Sequence, residues 1–162
     1  MYNNYDVNKY YFLNNNIDYY NSENTYRNVE YTKDQGNIPF VIDIEEATKK
    51  NRDFRRAIWT GNYLQITLMN INPGENIGLE LHSDVDQFIR IEDGVGIVKM
   101  GDSKLDLNFE RKVYEDFAFV IPAGKWHDLI NIGNKPLKLY SIYAPPQHPQ
   151  GTVHVTKEDD KY

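Results

Sequence analysis

The chain has 162 residues, of which 40% are hydrophobic and 26% charged, as expected for one globular domain with an appendage. Its formal net charge of -6 argues against nucleic-acid binding, because phosphate recognition requires a basic surface. The absence of cysteine excludes disulfides, thiolate metal sites and cysteine nucleophiles. No apolar run is long enough to cross a bilayer and no secretory signal pattern is present, so we expect a cytoplasmic location.

Residues 1–36 form an Asn/Tyr-rich segment that differs in composition from the rest of the chain. Eight of the 13 tyrosines and nine asparagines lie in the first 31 residues. Two interpretations remain open: a disordered or adhesive arm, or a segment whose tyrosines dock on the main domain or on a partner subunit. We therefore predict an N-terminal extension at 1–36, a main domain at 37–155 and a solvated charged tail at 156–162.

The sequence predicts that the main domain begins with a short strand at 38–44, which is followed by a short helix at 44–51. Asp43 is the candidate helix N-cap, and Glu46 three residues later completes a capping-box pattern. The basic residues near the end of this helix are expected to be solvated: Lys49, Lys50, Arg52, Arg55 and Arg56.

Nine strand-like runs follow, each closed by turn residues. They span residues 54–61, 63–71, 77–83, 87–94, 95–101, 103–109, 117–122, 126–133 and 137–145. Short strands at this spacing, without long helical patterns, predict an all-β sandwich or barrel.

The four histidines are the residues with the clearest chemical potential. His82 and Asp84, at i and i+2, are expected to share one face of a strand; Gln87 opens the next strand and His127 a later one. Two imidazoles, a carboxylate and an amide oxygen facing one cavity would form a partial ligand shell for a divalent metal. The alternative is that each histidine is an ordinary core or surface residue.

Two segments resemble the sequence motifs of the cupin family. Residues 73–94, PGENIGLELHSDVDQFIRIEDG, are similar to the first motif, which reads Gly, five residues, His-x-His, three or four residues, Glu, six residues, Gly. Residues 122–131, PAGKWHDLIN, match Pro-x-Gly-x-x-His-x-x-x-Asn in the second motif. The chain resembles single-domain bacterial cupins that are often described as mannose-6-phosphate isomerase-like. This implies a double-stranded β-helix, or jelly-roll, barrel.

The resemblance implies a metal site, with departures from the family pattern. With His82 as the first motif histidine, Asp84 replaces the second and Gln87 replaces the glutamate, while Asn76 stands at the first glycine. Asp116 stands at the first glycine of the second motif. The implied ligands are His82, Asp84, Gln87 and His127, which suit Mn, Fe, Ni or Zn.

Further side chains are expected near this site. Glu80, two residues before His82, is the candidate catalytic base, or alternatively a hydrogen-bond partner of a ligand histidine or a member of a buried ion pair. Trp126 and Tyr140 are candidates for lining a substrate cavity, although such aromatics are more often core residues. Lys125 is the basic residue expected at the mouth, and His148 either folds over it or lies on the surface.

Three functions remain open. The first is a metal-dependent enzyme acting on a carbohydrate-like metabolite, most simply a sugar isomerase; the second is a metal-dependent oxygenase. The third is a structural or binding module, such as a surface or spore-layer protein assembled through residues 1–36. We also expect a homodimer, in which the Asn/Tyr-rich arm or the strand at 38–44 extends the partner's sheet.

Overall fold

The computed structural model describes residues 31–160, and these form a β-barrel of two antiparallel sheets. One helix, α1, spans Ile44–Lys50. The strands are β1 (Arg55–Thr60), β2 (Gln65–Ile71), β3 (Glu80–Leu81), β4 (Asp86–Asp93), β5 (Val95–Gly101), β6 (Phe109–Tyr114), β7 (Ala118–Ile121), β8 (Trp126–Asn131), β9 (Leu137–Ala144) and β10 (Val153–His154). A 3₁₀ turn follows at Lys157–Asp159. Within 31–160, no helix has the length and apolarity needed to span a membrane.

The strand order explains how distant parts of the sequence meet. The larger sheet has the order β10-β1-β2-β9-β4-β7 and the smaller one β3-β8-β5-β6. This arrangement confirms the all-β, jelly-roll prediction. It also places β3, which carries Glu80, directly beside β8, which carries His127.

The inward faces of three central strands change from polar to apolar along their length. Among the inward residues, the apolar end holds Met69 and Ile71 of β2, Leu137 and Leu139 of β9, and Ile89 and Ile91 of β4. The other end holds Gln65 and Thr67 of β2, Ser141 and Tyr143 of β9, and Gln87 of β4. The ladder register places Gln65 beside Tyr143, and Tyr143 beside Gln87. The polar end of the barrel interior is therefore the place to look for a site.

Helix α1 has the expected ends. The Asp43 side chain accepts a hydrogen bond from the Glu46 N–H at 2.9 Å, and Asn51 is the C-cap. Leu68 and Ile58 pack against Ala47 of the helix on the outer face of the larger sheet.

The predicted strand at 38–44 is wrong: residues 38–43 have no ladder partner in the described chain and lead directly into the helix. Their apolar side chains pack against the cluster around Leu68 instead, since Phe40 and Ile42 contact it. Residues 31–36 lie against β1, where the Gln35 N–H donates to the Ile58 carbonyl at 2.8 Å. The rest of the predicted arm, residues 1–30, lies outside the described residues.

Two other strand predictions need correction. The run at 103–109 is a turn-rich connection, and β5 pairs with β8 on one side and with Phe109–Tyr114 on the other. Acidic and basic side chains dominate that strand, and its burial pattern is almost wholly exposed, so it carries little hydrophobic alternation. β3 is also shorter than the predicted run at 77–83.

Asp116 and Gly94 show why the motif prefers glycine at certain turns. Asp116 has a φ of 71°, a left-handed conformation that aspartate tolerates better than most residues. At Gly94 the φ is 96°, and an added Cβ would lie 2.9 Å from the Cα of Leu137. The aspartate can therefore replace a motif glycine, whereas the Gly94 position could not accept a side chain without a shift of backbone.

Candidate metal centre

Glu80, His82 and His127 form the group of side chains that could hold a metal ion among residues 31–160. One potential ligand atom from each lies within 4.8 Å of the others. The Glu80 Oε2 atom is 3.5 Å from His82 Nε2 and 3.7 Å from His127 Nε2. All three side chains are largely buried, so the group is shielded from bulk water.

The backbone holds these side chains in place. Glu80 and His127 are direct ladder partners, and the Gly124 N–H donates to the His82 carbonyl at 2.7 Å. The His127 Nδ1 lies 3.0 Å from the Lys125 carbonyl. Because a carbonyl only accepts, Nδ1 carries a proton, and Nε2 faces Glu80 and His82.

Gln87 adds a fourth buried donor at the same polar end of the barrel. Its Nε2 donates to the Ser141 Oγ at 2.8 Å, which leaves the Oε1 available. Four of the eleven buried side-chain atoms that lack a hydrogen-bond partner within the described chain belong to these residues: Glu80 Oε2, His82 Nε2, Gln87 Oε1 and His127 Nε2. Buried polar atoms are rarely left unpaired, and a divalent metal would satisfy these nitrogen and oxygen donors. The residues present therefore fit a metal ion.

The charge of Glu80 is stabilised by its neighbours. Burial opposes ionisation of this carboxyl group, but His127, His82 and the Arg55 guanidinium outweigh burial and hold its pKa well below its usual range. Glu80 is thus an anion at neutral pH, as a metal-binding carboxylate must be.

A cavity of about 330 Å³ opens beside this group and is lined in part by Glu80, His82, Arg55, His148 and Lys157. The Arg55 side chain is only 2% exposed. Its Nη2 donates to Glu80 Oε1 at 3.4 Å and its Nη1 to Asp160 Oδ1 at 3.1 Å. The expectation that Arg55 is solvated is wrong, because β1 turns this side chain towards the cavity.

Asp160 comes from the segment that the sequence predicts as a solvated tail. Its side chain is 7% exposed and contacts His154 at 3.0 Å as well as Arg55. The short turn at Lys157–Asp159 returns the chain to the barrel, and Lys157 bonds to the Asn76 side chain. The solvated-end prediction is therefore wrong for Asp160, which forms part of the cavity wall.

His148 lines the cavity and is buried rather than on the surface. Gln65 fixes its backbone twice, accepting from the His148 N–H and donating to its carbonyl, both at 2.9 Å. The His148 Nε2 lies 2.9 Å from Arg55 Nη1 and must accept there. Burial, followed by the Arg55 charge, lowers the pKa of His148 to about 3.

Asp84 is not part of the donor group, although the sequence places it among the ligands. Its side chain is exposed, because strand β3 ends at Leu81 and the two-residue alternation does not continue through His82 to Asp84. The expected common face of His82 and Asp84 is therefore absent.

A shift of two residues in the motif register accounts for the difference. With His82 as the second motif histidine, Glu80 takes the first histidine position, and five residues separate it from Gly74. Four residues then separate His82 from Gln87, and six separate Gln87 from Gly94. All motif spacings are met in this register, and Glu80 becomes a ligand candidate rather than a base.

Three residues expected around the substrate lie elsewhere. Lys125 pairs with Asp102 on the surface and does not line the cavity. Tyr140 lies on the outer face of the sheet, where it packs against Phe88 with ring centroids 6.2 Å apart. Trp126 precedes His127 on β8, so strand alternation turns it to the opposite face.

Tyr143 is the aromatic residue that the sequence reasoning missed. It is fully buried, and its ring centroid is 5.9 Å from that of His82 and 5.2 Å from that of His148. Alternation along β9 from Leu137 and Leu139 would have predicted it, because Ser141 and Tyr143 share their face. No comparable local signal marks Arg55 or Asp160.

Comparison with known proteins agrees with this fold. The cupin domain family matches residues 67–143. The protein YrkC of Bacillus subtilis (strain 168) is 65% identical over 127 residues, covering 78% of this chain and 68% of YrkC. The protein L612 of Acanthamoeba polyphaga mimivirus is 42% identical over 122 residues, covering 75% and 74% of the two chains. The crystal structure of BH2720 from Bacillus halodurans has a TM-score of 0.78 at 58% identity, covering 79% of this chain and 97% of that one. The chain therefore belongs to the cupin family.

Proposed function

We propose that this cupin is a metal-dependent enzyme acting on a small carbohydrate-like metabolite, with aldose–ketose isomerisation as its reaction. The observation that carries the proposal is the set of four buried, unpaired donor atoms on Glu80, His82, Gln87 and His127 beside a cavity of about 330 Å³. Mixed nitrogen and oxygen donors suit Mn, Fe, Ni or Zn. When bound, such an ion would polarise a sugar carbonyl beside a hydroxyl group.

The protein's own residues would position the substrate. Arg55 and Lys157 place two cations in the cavity lining, where Glu80 and Asp160 supply two carboxylates. The Tyr143 hydroxyl is buried with no partner among residues 31–160. Glu80 contributes one oxygen towards the histidines and the other towards Arg55, which favours a ligand role over that of a mobile base. The protein is proposed to act as a homodimer in the cytoplasm.

Elemental analysis tests the metal claim. Protein reconstituted separately with Mn, Fe, Ni and Zn, then desalted, should retain about one ion per chain, as a closed set of protein ligands would. The Glu80→Gln variant should lose most of it, because the carboxylate charge is removed at constant shape. If none of the four metals is retained by the unmodified protein, the proposed function is wrong.

One observation also favours an oxygenase. Two histidines and one carboxylate, here His82, His127 and Glu80, form the ligand type of non-haem iron oxygenases. Oxygen uptake by the iron-loaded protein with a panel of metabolites would identify this activity. Interconversion of an aldose and a ketose under anaerobic conditions would identify the isomerase instead.

A further inference from the structure

Arg55 is a buried cation whose hydrogen-bonding capacity is not fully used. Its side chain is 2% exposed, and in the described chain its Nε has no hydrogen-bond partner. The long contact to Glu80, at 3.4 Å, is at the limit for a hydrogen bond. A guanidinium is a rigid, planar group that matches a carboxylate in two parallel hydrogen bonds. The Nη1 atom already contacts Asp160 and His148 Nε2, the latter at 2.9 Å, so the unused capacity of Arg55 lies at Nε and at the weakly bonded Nη2.

Asp160 is the carboxylate that partly fills this role. It reaches Arg55 through a single oxygen, Oδ1, which it shares with His154 Nδ1. Burial raises the pKa of Asp160 against the opposing effect of Arg55, so this carboxylate is poorly compensated where it lies. The preceding turn, Lys157–Asp159, is a single 3₁₀ turn with no buried residue. Lys157 of this turn bonds to Asn76, and Asp160 itself contacts Arg55 and His154, so a ligand that displaces Asp160 must replace its contact to Arg55 with a stronger one.

The charges around the cavity favour an anionic ligand once a metal is bound. A divalent ion and Arg55 together carry three positive charges, and Glu80 and Asp160 supply two negative ones. Lys157 adds a further positive charge at the lining. If a ligand carboxylate took the place of Asp160 on Arg55, the Asp160 side chain could return to water, which offsets the cost of burying the new anion.

We infer that Arg55 is the anion-recognition residue of this cavity, and that Asp160 is a built-in carboxylate that a carboxylate-bearing ligand displaces. The ligand is then a sugar acid or similar polyhydroxylated carboxylate, with its carboxylate on Arg55 and its hydroxyl and carbonyl end towards Glu80 and His82. This names the substrate class of the proposed function and rests on it.

The test compares three matched ligands by isothermal titration of the Mn²⁺-loaded protein. D-Glucose, D-glucuronate and D-glucose 6-phosphate share one ring and differ in the group at the sixth carbon. D-Glucuronate should bind at least about tenfold more tightly than D-glucose, since hydrogen bonds to charged groups typically contribute that much. Equal affinity for the two, or no binding of D-glucuronate, overturns the inference. Tighter binding of the phosphate overturns the assignment of a carboxylate.

Two variants identify the residues. Asp160→Asn should tighten D-glucuronate binding by roughly threefold to tenfold, because the uncharged side chain at position 160 competes less with the ligand carboxylate for Arg55. Glu158→Gln removes the same charge from an exposed position on the same turn and should leave affinity unchanged. Arg55→Lys keeps the charge but loses the planar fork, and it should abolish the preference for D-glucuronate over D-glucose.

A purely structural Arg55–Asp160 pair predicts the opposite pattern. Asp160→Asn would then lower thermal stability and leave D-glucuronate affinity unchanged, which overturns the inference. The bound manganese is measured on the same samples before titration. If the protein retains Fe, Ni or Zn instead of manganese, that form is titrated with the same ligands. Retention of none of the four metals contradicts the proposed function, whereas a metal-loaded protein without selectivity for D-glucuronate contradicts only the present inference.

Discussion

The two ends of the barrel interior are built on the same strands but have opposite chemistry. At the apolar end, inward positions such as Ile89 and Leu139 are completely buried in one hydrophobic cluster. At the polar end, Gln87 and Tyr143 occupy equivalent inward positions and are equally buried, yet each has a polar atom without a partner in the described chain. Each such atom costs about 1–3 kcal/mol when left unpaired. The apolar end of the barrel therefore stabilises the fold, whereas the polar end carries the candidate metal donors and lowers the stability.

The largest expected effect is a loss of stability when a buried side chain at the apolar end is shortened. Leu139→Ala should lower the free energy of unfolding by about 3 kcal/mol, since it leaves a cavity at a fully buried position. Urea denaturation of the metal-free protein measures this. Val120→Ala, on a side chain that is 58% exposed, is the control and should change stability little. Metal affinity of folded Leu139→Ala should equal that of the unmodified protein; a matching loss would contradict the division between the two ends.

The next largest expected effect is a loss of metal affinity when a donor side chain at the polar end is removed. His127→Ala should weaken metal binding by at least about 100-fold, because even partners of ligands typically contribute 10–100-fold. Competition with a metal-sensitive chelating dye measures the affinity. Asp84→Asn is the matched control, since the exposed Asp84 side chain lies outside the donor group. A large loss in Asp84→Asn would instead support the ligand set that the sequence first suggests.

The stability of the protein should depend on pH through His148, a buried histidine at the polar end of the barrel. Burial and Arg55 lower the pKa of His148 from 6.5 to about 3 in the folded protein. Between these values the unfolded chain binds more protons than the folded one, so stability falls as the pH falls. Lowering the pH from 7 to 5 should cost roughly 2 kcal/mol through this group.

Denaturation of His148→Gln at both pH values isolates this contribution, because glutamine can still accept from Arg55 but does not titrate. The variant should lose about 2 kcal/mol less than the unmodified protein over the same interval. Parallel pH curves for the two proteins would exclude His148 as the source.

The smallest expected effect tests whether a donor at the polar end lowers the stability of the metal-free protein while it contributes to metal binding. Gln87→Met keeps a similar shape and removes the unpaired Oε1, but it also removes the hydrogen bond from Nε2 to Ser141 Oγ. The metal-free protein should therefore become more stable by no more than about 1 kcal/mol. Metal binding should weaken at the same time. Thermal denaturation with and without metal measures both changes, and a less stable metal-free variant would argue that Gln87 serves packing alone.

Much of the fold could be predicted because its signals are local. The Asp43 cap and the two-residue alternation of β2, β4, β8 and β9 are fixed by neighbours in the sequence. Where local signals were weak, the prediction failed: the apolar run at 38–44 packs against the outer face of the sheet without pairing. Apolar composition alone does not decide whether a segment joins a ladder.

The site was predicted in part for the same reason. His82, Gln87 and His127 follow from motif spacing, and the spacing from Gly74 would have added Glu80. The two-residue spacing from His82 predicts Asp84 as a ligand on a shared strand face, whereas β3 ends at Leu81 and pairs with β8 over only two residues. Arg55 and Asp160 have no spacing relation to the motifs, so their place in the cavity could not be read from the sequence.

The sequence by itself determined the barrel, its polar and apolar rows and the two histidines, because alternation and turn chemistry act over a few residues. The tertiary structure decided between the two carboxylates that the two motif registers offer, since the β3–β8 pairing sets Glu80 opposite His127. It also brought Arg55 into contact with the Asp160 carboxylate inside one cavity, although the two residues are 105 positions apart in the chain. Such contacts depend on the packing of distant strands, to which local sequence patterns are insensitive.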